Sequence, residues 1–294
     1  MTTSTPRAPT GTDAAGLAPP LLVRLSLTLA LASTLVGAGS LFAPDALSGT
    51  PVMNGSARGT AAVVLFVAVP LLAASVALAS RGSVRWYAAW VGVVAYLTYN
   101  AVMFCFATPL NPLFLAYVAM LGLSVFTLGG LVARGLVAPP TGAGVARRWV
   151  AGFMVVVVVL NTALWLSDVV PALLSRDPTS ILEGTGLTTS PVYVQDLAFW
   201  LPSMLVLAIG LVRDAGSFVV LAAGGLVFWV VEAVGVGVDQ WMGGRADPGS
   251  IVASASLTPG FLVLAAVTLI PTVVLMRQLP ARPVPGEDSP GRVL

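Results

Sequence analysis

The chain has 294 residues, of which 57% are hydrophobic and 9% charged, with a formal net charge of +2. Soluble domains carry about a quarter charged residues, so this composition, with a mean hydropathy of +0.95, excludes a soluble globular domain. Nucleic-acid binding is excluded with it, because so small a charge balance cannot supply a clustered basic face.

Every basic residue is arginine; histidine and lysine are absent. There can be no His-ligated metal, no Ser-His relay and no imidazole proton switch. With the richness in Ala, Val, Gly and Leu, the arginine-only basic set points to coding from a GC-rich bacterial genome. The single cysteine, Cys105, cannot form an intramolecular disulfide and reads as a buried packing thiol.

Eight apolar stretches follow one another at 21–43, 60–80, 86–107, 112–133, 149–170, 193–212, 216–238 and 258–276. Each is long enough to cross a hydrocarbon core of about 30 Å as a helix. The first exceeds the h-region of a signal peptide and reads as a retained helix. Pro112 suits the first turn of the fourth span, while Pro70 and Pro271 fall inside spans and predict kinks. Residues 1–20 and 278–294 read as disordered tails. Between them, 21–277 forms a single transmembrane domain.

Threading follows from the arginines. Arg7, Arg24, Arg81, Arg85, Arg134, Arg147, Arg148, Arg213, Arg277, Arg282 and Arg292 fall on one side, and Arg58, Arg176 and Arg245 on the other. By the positive-inside rule both termini are cytoplasmic. The expected fold is all-α, a polytopic integral membrane helical bundle of about eight transmembrane helices in the bacterial cytoplasmic membrane. Acids are skewed the opposite way: Asp45, Asp168, Asp177, Glu183, Asp196, Glu232, Asp239 and Asp247 lie outside. Insertion rules do not require this, since acids contribute little to orientation. The outer connections 44–59, 171–192 and 239–257 are also the long ones, and loops of that length are often functional.

Ionisable groups inside a membrane are costly, so each is a candidate site. The third span carries Tyr96, Tyr99 and Asn100, and the fifth Asn161, Trp165 and Asp168. In the sixth span Asp196 is followed four residues later by Trp200, and the seventh holds Glu232 and Asp239. Helical spacing puts each set on one face. The economical arrangement is one polar cavity open to the outside, lined by the third, fifth, sixth and seventh helices. Its expected lining is Tyr96, Asn100, Asn161, Trp165, Asp168, Asp196, Glu232 and Asp239. Glu232 is the deepest carboxylate and a candidate proton carrier. Blander roles stand beside these: Asp196 as a helix cap, Asn100 and Asn161 as interhelical hydrogen-bond glue, Tyr193 and Trp241 as interfacial belt residues. No phosphate loop, metal-ligand spacing or catalytic-serine motif is present, so no cofactor and no metal are expected.

The run Tyr99-Asn100, then Asn111-Pro112-Leu113-Phe114 with Tyr117, resembles an uncharacterised bacterial family of polytopic membrane proteins. Trp165 and Val192-Tyr193-Val194-Gln195-Asp196-Leu197 are similar to its second recognisable stretch. The resemblance covers about residues 95–200. It implies that Asn100, Asn111, Tyr117 and Asp196 belong to one pattern on or near the outer side, and it lends no catalytic role.

Three functions fit. The first is binding or transport of a small solute, cationic or proton-coupled, in the outer cavity. The second is a membrane assembly protein, with a membrane-protein partner or a second copy of itself. The third is an enzyme on a lipid-linked or extracytoplasmic substrate, with Asp196 and Glu232 as an acid/base pair.

Overall fold

A computed structural model describes residues 18–43, 45–136, 145–213 and 217–279. Most of the expected terminal tails and the segment around Pro139-Pro140 lie outside the described residues. Within them the fold is all-α. Eight helices are long and apolar enough to span a bilayer: α1 (Pro20–Phe42), α2 (Pro51–Ala79), α3 (Val84–Phe106), α4 (Phe114–Gly135), α5 (Val145–Leu174), α6 (Pro191–Val212), α7 (Ser217–Ala246) and α8 (Thr258–Gln278). The protein is a multi-pass membrane protein.

Two ends of the bundle are tied by different contacts. At one, the Arg85 guanidinium donates to the Leu279 carbonyl (2.9 Å) and that of Arg147 to Gln278 Oε1 (3.4 Å). This is the arginine-rich end. At the other, the Thr50 hydroxyl donates to the Gly184 carbonyl (2.9 Å), and Gly184 faces Val252.

Three helices outrun their apolar stretches. α2 starts at Pro51, so most of the expected 44–59 loop is helix. α5 continues through Pro171 to Leu174, and α7 to Ala246, which places Asp239 inside a helix rather than at its boundary. At 1.5 Å per residue, helices of 30 residues reach about 45 Å, beyond the hydrocarbon core. Hydropathy marks where the lipid ends, not where the helix ends.

α3 and α7 are the central pair and the most buried of the eight. They can touch because glycines remove the side chains between them. A Cβ on Gly224 would sit 2.9 Å from the Ala88 carbonyl, and one on Gly92 would strike the Gly224 backbone. A second seam joins α2 to α7. A Cβ on Gly59 would lie 2.8 Å from the Asp239 Cα, and one on Gly55 2.9 Å from the Gly243 Cα. Small residues four apart are how membrane helices achieve backbone contact, since lipid offers no hydrophobic push. Polar cross-links finish the packing: Trp90 Nε1 donates to Ser26 Oγ (2.9 Å), the Tyr87 hydroxyl to the Leu131 carbonyl (2.6 Å), and Ser40 and Tyr117 share a hydrogen bond (3.1 Å).

The π-turns explain two proline sites. In α2 the Val69 N–H bonds the Val64 carbonyl, and in α6 the Leu201 N–H bonds the Asp196 carbonyl, each five residues back. A proline follows one residue later in both, Pro70 and Pro202. The missing proline N–H and the steric demand of its ring are absorbed by this wider turn.

Two outcomes test this architecture. Gly92→Leu should lower the melting temperature in detergent, since overpacking costs about 1–3 kcal/mol. Gly122→Leu should leave it nearly unchanged, because nothing lies within 4 Å of that position. Reporters fused within 137–144 and after Glu183 should report opposite sides of the membrane, as one crossing separates them. Matching readings would break the helix order.

Candidate functional site

Seven of the eight expected residues line one cavity of about 650 Å³: Asn100, Asn161, Trp165, Asp168, Asp196, Glu232 and Asp239. Tyr96 does not line it. Its ring is fully buried behind the wall, where Gly235 makes room: a Cβ there would lie 3.0 Å from the Tyr96 hydroxyl. The expected wall of α3, α5, α6 and α7 is correct but incomplete. α2 adds Met53, Ser56, Ala57 and Thr60, and α8 adds Phe261, Leu264 and Thr268.

The acids enter from α5, α6 and α7, and Glu183 adds one from the segment after α5. On α7, Glu232 accepts a hydrogen bond from Asn100 Nδ2 (3.2 Å), which also donates to the Tyr96 carbonyl (3.0 Å). Asn100 is therefore helix glue and cavity wall at once. Two turns on, Asp239 is held by the Ser56 hydroxyl of α2. On α6, Asp196 opens the π-turn and accepts from Trp165 Nε1 (2.8 Å) and from the Tyr99 hydroxyl. Asp196 is not a cap; Ser190 takes that role, accepting from the Tyr193 N–H (3.4 Å). Asp168 is exposed at the rim and accepts from the Tyr193 hydroxyl (3.3 Å). Tyr193 is thus part of the site rather than a belt residue. Trp241 is exposed with the Arg245 guanidinium 5.4 Å from its ring, as a belt residue would be.

The charged groups that act on Glu232 are two more carboxylates, Asp196 and Asp239. Among the described residues no arginine lines the cavity. Among the described residues no three His, Cys, Asp or Glu side chains are placed to hold a metal ion. Two acceptors in the wall, Asn161 Oδ1 and Asp239 Oδ1, are buried without a hydrogen-bond partner in the protein. Buried acceptors ordinarily have donors, and leaving one without costs about 1–3 kcal/mol.

Aromatic rings form much of the wall. Tyr99, Trp200 and Phe228 make a cluster with centroid separations of 5.9, 4.7 and 5.9 Å, and Trp165 meets Tyr193 edge-on at 5.1 Å. Phe228 and Trp229 were not legible as site residues, because an aromatic in an apolar span looks the same whether it faces lipid or a cavity. The α2 face was hidden by a boundary: Met53, Ser56, Ala57 and Thr60 have helical spacing, but they sit largely in a stretch whose low hydropathy reads as a loop.

The cavity has a floor and a roof. Toward the arginine-rich end the buried core includes Met154, Met204 and Leu226. At the opposite end the segment after α5 folds over the opening, placing Ile181, Leu182, Thr185 and Leu187 in the lining. This segment turns through Gly184 and Gly186 at φ 77° and 70°, a left-handed region that glycine enters without strain. Ile251, Val252 and Leu257 complete the roof.

The residues of the family-like pattern divide. Asn100 and Asp196 face the cavity. Asn111 instead starts α4, accepting from the Leu113 N–H (2.9 Å), and Tyr117 stacks on Phe104 at 5.2 Å. No protein-family model, curated protein or solved structure matches the chain.

Accessibility tests the geometry. With Cys105 replaced by alanine, cysteines introduced at 161 and 232 should react with an impermeant thiol reagent added from the side of the Glu183 loop. Those at 100 and 196, which are buried, should react more slowly. Resistance at all four positions would mean that no solvent path reaches the cavity.

Proposed function

We propose that this protein binds or transports a small, positively charged solute across the bacterial cytoplasmic membrane. Both termini are cytoplasmic in this reading, from the arginine asymmetry, and the cavity faces outward. One observation carries it: three carboxylates from α6 and α7 share a single partly open cavity, and among the described residues no arginine lines it. Like charges gathered in a low-dielectric site repel one another and strongly favour a cation between them. An anionic solute finds no cationic side chain there among the described residues. A volume of about 650 Å³ also falls within the range of small-molecule sites. Transport would require the packed floor at Met154, Met204 and Leu226 to part; binding alone would not.

A second reading has one observation in its favour. Asn100–Glu232 joins α3 to α7, and Trp165–Asp196 joins α5 to α6, so the same polar groups also hold the bundle together. In an assembly protein this would be their whole role.

Native mass spectrometry of the purified protein separates the two. The wild type is expected to carry a small-molecule adduct that Glu232→Gln and Asp196→Asn lose while remaining folded. Both variants keep an acceptor oxygen for Asn100 and Trp165. A change of oligomeric state in the variants, with no adduct in the wild type, would favour the assembly reading.

A further inference from the structure

Resting on the reading of the cavity as a cation site, we propose that its solute is an organic ammonium ion with apolar substituents. The charge is held between the acids and the rings of Tyr99, Trp200 and Phe228.

Three features converge on this class. Size comes first: a bare metal ion or a proton would leave a volume of about 650 Å³ almost wholly unfilled. Second, the coordination is wrong for a metal. Among the described residues no trio of ligating side chains is assembled, whereas a hard divalent cation takes six to eight oxygens for Ca²⁺, or a near-ideal octahedron for Mg²⁺.

Third, the wall pairs acids with aromatic rings. Tyr99 belongs to both sets: its hydroxyl donates to Asp196 and its ring sits 5.9 Å from those of Trp200 and Phe228. Ring faces are electron-rich, and clusters of them attract ammonium groups whose charge is buried under methyl or methylene. A small inorganic ion keeps its hydration shell and gains less from such a wall.

The test is equilibrium binding to the full-length protein in detergent or nanodiscs, with pairs of probes that differ in charge at nearly constant shape. Choline is paired with dimethylbutanol, in which carbon replaces the nitrogen, and phenylethylamine with phenylethanol. The charged member of at least one pair should bind and its neutral partner should not. Trp200→Leu should weaken that binding about tenfold, the scale of one desolvated cation–π contact, and Trp200→Phe should recover most of it. Melting temperature and size-exclusion profile establish that each variant is folded.

Equal binding of the neutral partner would overturn the ammonium assignment and leave a site for apolar solutes. Binding of sodium or protons alone, with neither amine retained, would also overturn it while preserving a cation site. If neither probes nor ions bind and no adduct is seen, the ammonium proposal and the solute-binding reading fall together.

Discussion

The hydrogen bond from Asn100 to Glu232 sits at the point where the demands of the membrane and of the site meet. A carboxylate deep in a bilayer cannot be left to lipid; it must find a donor or another charge. Here the donor comes from the neighbouring central helix, and among the described residues no arginine lies in the cavity wall beside it. That bond can form only if α3 and α7 run in near backbone contact, which the glycines at 92 and 224 allow. A second glycine seam fixes α2 against the far half of α7, where Asp239 meets Ser56. The position of every acid on α7 is thus set by places where side chains are missing.

With α7 pinned on two sides, α5 and α6 complete the wall, and they are tied to each other by Trp165 and Asp196. The polar groups divide their work unevenly. Asn100, Trp165 and Tyr193 give hydrogen bonds to acids, which orders the wall. Asn161 and Asp239 keep buried acceptor atoms without partners among the described residues.

Much of this was legible before any coordinates. All eight crossings follow from hydropathy alone, and the stripes on the third, fifth, sixth and seventh spans identified seven cavity residues. The stripes worked because polar side chains inside lipid must converge, so spacing along separate helices carries information about contacts between them. Tyr96 failed this logic because a tyrosine can bury its hydroxyl behind a glycine instead of presenting it to a cavity. The beginning of α2 failed for a different reason. Asn54-Gly55-Ser56-Ala57-Arg58-Gly59 has poor helix propensity and low hydropathy, yet packing against α7 imposes the helix, as tertiary context often does. Ser190 caps α6 even though the acid six residues on is the more obvious candidate by residue type. Phe228 and Trp229 carried no signal, since nothing in an apolar stretch says which face looks inward.

The π-turn of α6 makes one stretch of this helix tolerant of a change in chain length. A turn of this kind amounts to one extra residue in an otherwise regular helix. The Asp196 carbonyl meets the N–H five residues on instead of four, so the segments on either side keep the relation they would have in a regular helix one residue shorter. Removing one residue from 197–200 would let α6 wind regularly while Asp196 and Ser190 stay close to their present places. Removing one from a regularly wound part of the helix would instead turn everything beyond it by about 100°. Homologous chains one residue shorter within 197–200 should therefore still share this cavity wall.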